Sequence, residues 1–254
     1  TFANMAIAWQ QVHGKWAANN TEKGEVEGSD PLEPIYAGKS PKWRLFQIAF
    51  ILMNLESIAN PQSKYRESVD LLWFPTGGGK TEAYLGLVAF ILSYRRLKGA
   101  DTDGVLTNES FGISVIMRYT LRLLTVQQFQ RAATLMCACE KLRLHKDNTF
   151  ICPDCNGNKI SNKNTPCSTC TAKGTVKKWG DIPFQVGLWV GASVTPNNRQ
   201  QAKAAYWKLR KSGDRDLSTI KDKNPYILIN CPWCGTKLKY TDGDVCGTPE
   251  QWRL

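Results

Sequence analysis

Apolar positions recur at helical spacing in several long stretches, with short continuous apolar runs between them, and this alternation sets the expected order of elements. Residues 1–40, rich in Gly, Asn, Glu and Pro behind a short apolar start, read as an irregular lead-in. From Trp43 to Ala59 apolar residues return every three to four positions, with Pro41 ahead and Pro61 behind, which predicts a helix. The run VDLLWF at 69–74 reads as a buried strand leading into PTGGGKT. A helical pattern then covers 82–97 and ends in Arg95, Arg96, Lys98 and Gly99, cations and a Gly where a helix C-terminus favours them. GISVIM at 112–117 predicts a second buried strand, and 121–144 a second long helix. After a Cys-rich interval the rhythm resumes with FQVGLWV at 184–190, a Gln- and Lys-rich helix near 198–212 and YILIN at 226–230.

Strand and helix in that order predict an α/β fold, a parallel sheet with helical crossovers, into which the Cys-rich segment is inserted. The expected domains are the lead-in at 1–40, an α/β core at 41–147 and 181–230, a Cys-rich module at 148–180, and the start of a second Cys-rich segment at 231–254. The 254 residues are 42% apolar and 22% charged, which excludes disordered and collagen-like chains. No apolar run approaches the roughly 20 residues of a membrane span, and no cleavable signal opens the chain. A soluble, cytoplasmic protein with no membrane partner is expected. The chain opens on Thr1 and stops at Leu254 inside a cysteine motif, so it reads as a piece of a longer polypeptide.

Net charge is +11, and nearly all of the excess falls after residue 140. A basic half suits a polyanion such as DNA, held by its phosphates, although simple solubility gives the same balance. Cys152-x-x-Cys155 and Cys167-x-x-Cys170 supply four thiolates at zinc-ribbon spacing. A redox dithiol fits two such pairs less well. Cys231-x-x-Cys234 with Cys246 offers three ligands of a second Zn²⁺ site, the fourth expected beyond Leu254; alternatively the Cys231 pair joins the Cys152 pair. The spacing does not choose between these. Cys137 and Cys139, two apart on a helix, point to different faces and read as core thiols.

Gly77, Gly78 and Gly79 followed by Lys80 and Thr81, between a predicted strand and a predicted helix, fit a phosphate loop. Backbone free of side chains can wrap an anion with N–H groups, the helix N-terminus adds a favourable dipole, and a Lys caps the outer phosphates. Thr81 would sit on Mg²⁺. The strict G-x-x-x-x-G-K-T pattern fails at its first position, which is Phe74.

From Phe74 to Thr81, with Thr76 ahead of the glycines, the loop resembles the Walker A motif of superfamily two helicases, Phe74 replacing the usual small residue. Trp43-Arg44-Leu45-Phe46-Gln47 resembles the Q-motif of that superfamily, in which Gln47 would read the adenine edge. The longer set FPTGGGKTEAYLGL, VIMRYTLRLLTVQQFQRA, GLWVG and CPWCG resembles the helicase subunit of the DISARM anti-phage defence system, the DrmA type, from about Trp43 to Gly235. CPDCNG and CSTCTAKG also resemble the zinc segment of DnaJ chaperones, over about 25 residues and with no J-domain alongside.

The helicase resemblance implies a RecA-like first motor domain, incomplete here, that binds ATP with Mg²⁺. Lys80 and Thr81 would be its catalytic residues. Arg118, Thr120, Arg122, Gln127 and Gln128 occupy the place of motif Ia and would meet DNA, as would Gly191 in the next loop, with Ser193 and Thr195 weaker candidates. For the residues beyond Arg122 a solvated helix face is an equal reading. The implied partners are phage DNA and a DUF1998-type subunit of the defence complex. No Asp-Glu motif for Mg²⁺ and water, and no second domain with arginine fingers, is found in the sequence, so this piece alone is expected to bind ATP without turning it over efficiently. Two other functions fit part of the pattern: a zinc-stabilised nucleic-acid-binding or docking module with a vestigial loop, and a restriction-type translocase ATPase that does not unwind.

Overall fold

The computed structural model describes residues 2–23, 42–75, 77–99, 110–119, 122–144, 179–180, 182–191, 195–196, 198–211, 217, 224 and 226–238. It contains α1 (Phe2–Lys23), α2 (Leu45–Ala59), α3 (Lys80–Lys98), α4 (Arg122–Arg143) and α5 (Arg199–Lys211). Four of these match helices expected from periodicity. The fifth, α1, replaces the irregular lead-in expected there. Its buried positions include Ala6, Trp9, Gln10, His13, Ala17 and Asn20, a helical stripe in which three members are polar, so a hydrophobic pattern does not reveal it.

The chain forms two compact units that interleave along the sequence: Thr1–Gln11, Leu32–Tyr119 and Leu135–Gln185 make up the first, Val12–Pro31, Thr120–Thr134 and Val186–Leu254 the second. In the first unit α2 packs on α3. Gly86 makes this approach possible, because a Cβ there would lie 2.8 Å from the Trp43 ring and 3.2 Å from Ile51. Phe50 meets Tyr84 edge-on, and the Tyr94 hydroxyl donates to Ala59 O at 2.8 Å. α2 ends at Asn60, whose N–H donates to Glu56 O, and Pro61 cannot continue the helix.

Two buried arginines complete this unit. Arg96 of α3 donates to Trp179 O at 2.6 Å, Ile182 O at 2.5 Å and Pro183 O at 3.1 Å, and its guanidinium lies 3.7 Å from the Phe184 ring centroid. Arg143 of α4 pairs with Glu140 at 2.7 Å and donates to Gly180 O at 3.0 Å, while Glu140 accepts from the Phe184 N–H. Phe2 packs on Trp179 and Phe184. Together these contacts hold the segment that follows the Cys-rich interval.

The second unit contains a small core of Tyr206 and Leu217 with Ala205, Tyr226 and Leu238. It also holds a hairpin in which the Leu238 N–H donates to Ile229 O and Asn230 bridges Lys237. That bridge is the β-pairing found among the described residues. Of the segments expected as buried strands, 69–74, 112–117 and 184–190 form no ladder among the described residues, and 226–230 carries only the Asn230 bridge there. Val69 is 96%, Leu71 87%, Ile116 83% and Trp189 99% exposed. A strand apolar on both faces needs neighbours along its edges and layers above and below, and the described residues do not provide them. Among the described residues no helix is long and apolar enough to cross a membrane.

Candidate phosphate loop and cysteine turn

The glycine loop closes onto α2. Gly77 and Gly79 adopt left-handed backbone, φ +77° and +93°, conformations that favour Gly, and Gly79 is the N-cap of α3. Arg44, the N-cap of α2, donates its backbone N–H to Gln47 Oε1 at 2.8 Å, a glutamine at N3 capping the helix start. The other end of the same amide, Gln47 Nε2, donates to Gly79 O at 2.8 Å, and Arg44 Nη1 donates to Gly78 O at 2.7 Å. Thus α2 grips two successive carbonyls of the loop, and within the loop the Gly78 N–H donates to Pro75 O at 3.2 Å. Gln47 is 5% exposed with its amide engaged at both ends, so what the structure displays is support of the loop.

Lys80 folds back over the loop, its Nζ donating to Pro75 O at 3.1 Å and, more closely, to Phe74 O. Thr81 is half-buried in the first turn of α3, and Glu82 beside it suits the positive end of the helix dipole. Phe74 stacks on Phe46, and its ring covers Gly78, where a Cβ would lie 2.5 Å from Phe74 Cδ1. Gln47, Gly77, Gly78, Gly79 and Lys80 therefore lie together at the start of α3. Thr76 lies outside the described residues.

The residues expected at DNA are less completely described. Arg118 is exposed in the segment 113–119. Gln127 is exposed and Gln128 half-buried on α4. Gly191 is exposed, with open space where a Cβ would go, and Thr195 is half-buried. Thr120, the Arg122 side chain, Ser193, and Cys152, Cys155, Cys167, Cys170 and Cys246 lie outside the described residues.

Cys231 and Cys234 are described, and their thiols lie within hydrogen-bonding reach of each other. The turn is closed by Gly235 N–H to Cys231 O and Cys231 N–H to Thr236 O, both 2.8 Å. Burial pushes the Cys231 thiol up. At Cys234 burial acts the same way but is outweighed by hydrogen bonds from the Thr236 side chain and backbone and from Cys231, so its thiol is held below the usual range. Two converging sulfurs on one turn fit half of a tetrahedral thiolate site. Cys139 is buried in α4, its thiol pushed up by desolvation, as a core cysteine should be.

The sequence pattern did not reveal the role of Arg44 at the loop, the Arg96 and Arg143 anchors, or the approach of His13, Asn20, Thr21 and Thr134 to the Cys231 turn. The stripe of His13, Ala17 and Asn20 on α1 is the nearest signal, and it names no partner.

A glycine loop capped by Lys and running into a helix N-terminus defines a candidate anion-binding chain of the phosphate-loop type. The chain is similar to the DISARM protein DrmA of Bacillus paralicheniformis, 38% identical over 242 residues that cover 94% of this chain. It spans 18% of that protein's length. No protein-family profile matches the chain.

Proposed function

We propose that this chain is the ATP-binding part of the first motor domain of a superfamily two DNA helicase or translocase, acting in a DISARM anti-phage defence system. The observation that carries the reading is the loop held by Gln47 and Arg44 on its carbonyl side, with Lys80 at the start of α3. The 38% identity to DrmA supports the defence role.

In this reading the segments 69–74, 112–117, 184–190 and 226–230 are strands of a RecA-like parallel sheet. The loop N–H groups and Lys80 hold the ATP phosphates, and Thr81 holds Mg²⁺, which when bound neutralises charge between phosphate oxygens. Lys80 must leave Phe74 O and Pro75 O to do so, exchanging neutral acceptors for anionic ones that bind it more strongly. DNA lies against Arg118 and the start of α4, at the C-terminal ends of the strands, with Gly191 in the next loop. Zn²⁺ is held by the Cys152, Cys155, Cys167 and Cys170 set and by Cys231 and Cys234 with Cys246. The DUF1998-type subunit and cytoplasmic phage DNA complete the proposed assembly.

The test is ATP hydrolysis by the full-length protein with and without single-stranded DNA, beside Lys80→Ala. DNA-stimulated turnover that disappears in the variant is the expected result. Turnover unchanged by Lys80→Ala overturns the loop assignment. No turnover in either protein favours a zinc-stabilised binding module in its place.

A further inference from the structure

The Cys231–Cys234 turn is held by its backbone. Four successive carbonyls, from Pro232 to Gly235, each face a side-chain donor from a distant helix. Thr134 Oγ1 of α4 lies 3.0 Å from Pro232 O, sharing its single proton with Gln130 O of its own helix at 3.0 Å. His13 Nδ1 lies 2.9 Å from Trp233 O, Asn20 Nδ2 donates to Cys234 O at 2.8 Å, and Thr21 Oγ1 to Gly235 O at 3.3 Å. Asn230 Nδ2 reaches Gly235 O as well, at 3.0 Å.

The fit is close as well as polar. The His13 ring stacks on that of Trp233, centroids 3.4 Å apart and planes 17° from parallel. A Cβ on Gly235 would lie 2.3 Å from Ala17 O, so the turn sits directly on the α1 backbone. His13, Asn20 and Thr134 are 0%, 2% and 4% exposed. Polar side chains are costly to bury unless their hydrogen bonds are made, and an apolar surface would have packed the same helix at lower cost. What they contribute is a fixed turn.

We propose that His13, Asn20 and Thr21 of α1, with Thr134 of α4, are positioning residues for a soft divalent metal of the zinc type at Cys231 and Cys234. This rests on the reading of those two cysteines as metal ligands. The argument is one of preorganisation. A thiolate turn must present both sulfurs to one side, and a free turn gives up conformational freedom to do so each time metal binds. Capping the outward carbonyls removes that freedom beforehand, just as partners outside a metal's ligands orient them and raise affinity. The four residues do not touch the metal in this proposal. Their contribution passes through the backbone of residues 232–235, and it makes the N-terminal helix a working part of a site more than 200 residues away in sequence.

The experiment uses the full chain, with zinc content measured directly and zinc affinity by competition with a chromophoric chelator. Thr134→Val keeps the shape and removes the donor, Thr134→Ser keeps the donor, and Asn20→Ala removes the Cys234 O contact. Expected are about 10-fold or greater losses of zinc affinity in Thr134→Val and Asn20→Ala, with Thr134→Ser close to wild type. In a Cys231→Ser background, which should lose one zinc, the same substitutions should change zinc binding no further. A helix that merely packs would lower the melting temperature without this dependence on Cys231. Zinc held as tightly as wild type by both Thr134→Val and Asn20→Ala overturns the positioning role. Zinc content untouched by Cys231→Ser overturns the ligand reading beneath it.

Discussion

The rings of Phe46 and Phe74 lie face to face, with centroids 4.0 Å apart and planes 12° from parallel, and Phe74 also covers the backbone of Gly78. Phe74, at the head of the glycine loop, is an aromatic latch onto α2. The stack contributes on the order of 1 kcal/mol beyond the area it buries. Its second effect is steric, because it reserves position 78 for glycine.

Gly78→Ala should therefore reduce nucleotide affinity sharply, since the new Cβ would stand 2.5 Å from Phe74 Cδ1 and 3.0 Å from Pro75 O. The ring contact can be relieved and the backbone contact cannot. Phe74→Ala in the same chain is expected to restore part of the binding, and titration with a fluorescent nucleotide measures both. If the double variant is no better than Gly78→Ala, the latch does not determine the residue at 78.

Gln47 joins the first turn of α2 to the loop through one amide, so its two ends can be tested separately. Gln47→Ala loses both hydrogen bonds and should cost about 1–3 kcal/mol in urea unfolding. Gln47→Glu keeps an acceptor for the Arg44 N–H but has no donor for Gly79 O when ionised. It should retain more of the helix cap than Gln47→Ala while weakening nucleotide binding at least as much. Equal nucleotide affinity in wild type and Gln47→Glu would show that the Gly79 contact does not shape the loop.

Arg96 is buried at the C-terminal end of α3, where desolvation lowers its pKa from the usual value. Three carbonyls, of Trp179, Ile182 and Pro183, depend on its guanidinium. Arg96→Met should destabilise the fold by roughly 2–5 kcal/mol, the range for removing one partner of a buried charged network. Arg96→Lys should recover little, because a single ammonium cannot reach three carbonyls and stack on Phe184 at once. Chemical denaturation of the three proteins checks the order, and a lysine variant as stable as wild type would contradict it.

How far the sequence revealed these arrangements depended on the kind of interaction. The helices at α2, α3, α4 and α5 were legible because burial of one face imposes a 3.6-residue period on apolar residues. α1 was not, because Gln10, His13 and Asn20 occupy its buried stripe and polar residues carry no hydrophobic signal. The glycine turn from Gly77 into Lys80 and α3 could be read from local spacing, since its residues are neighbours in sequence. Arg44 on Gly78 O, Arg96 on Trp179 O and Asn20 on Cys234 O could not. A hydrogen bond between a side chain and a distant carbonyl leaves no periodicity, and any residue can supply the carbonyl.

Gly235 and Gly112 separate backbone strain from close approach. Both have left-handed backbone, φ +79° and +87°. At Gly112 nothing lies within 4 Å of an added Cβ, so Gly112→Ala should carry only the conformational penalty, about 1 kcal/mol. At Gly235 the same substitution meets Ala17 O at 2.3 Å, the backbone of a helix that cannot yield as a side chain would. Gly235→Ala should cost at least about 2 kcal/mol more than Gly112→Ala, the further penalty expected for overpacking a tight contact. It should also lift the turn from His13, Asn20 and Thr21. Hydrogen exchange of the second half of α1 reads that separation directly, and faster exchange there in Gly235→Ala but not in Gly112→Ala is the expected result. Unchanged protection of Val12–Lys23 in Gly235→Ala would mean that the helix and the cysteine turn are stable without each other.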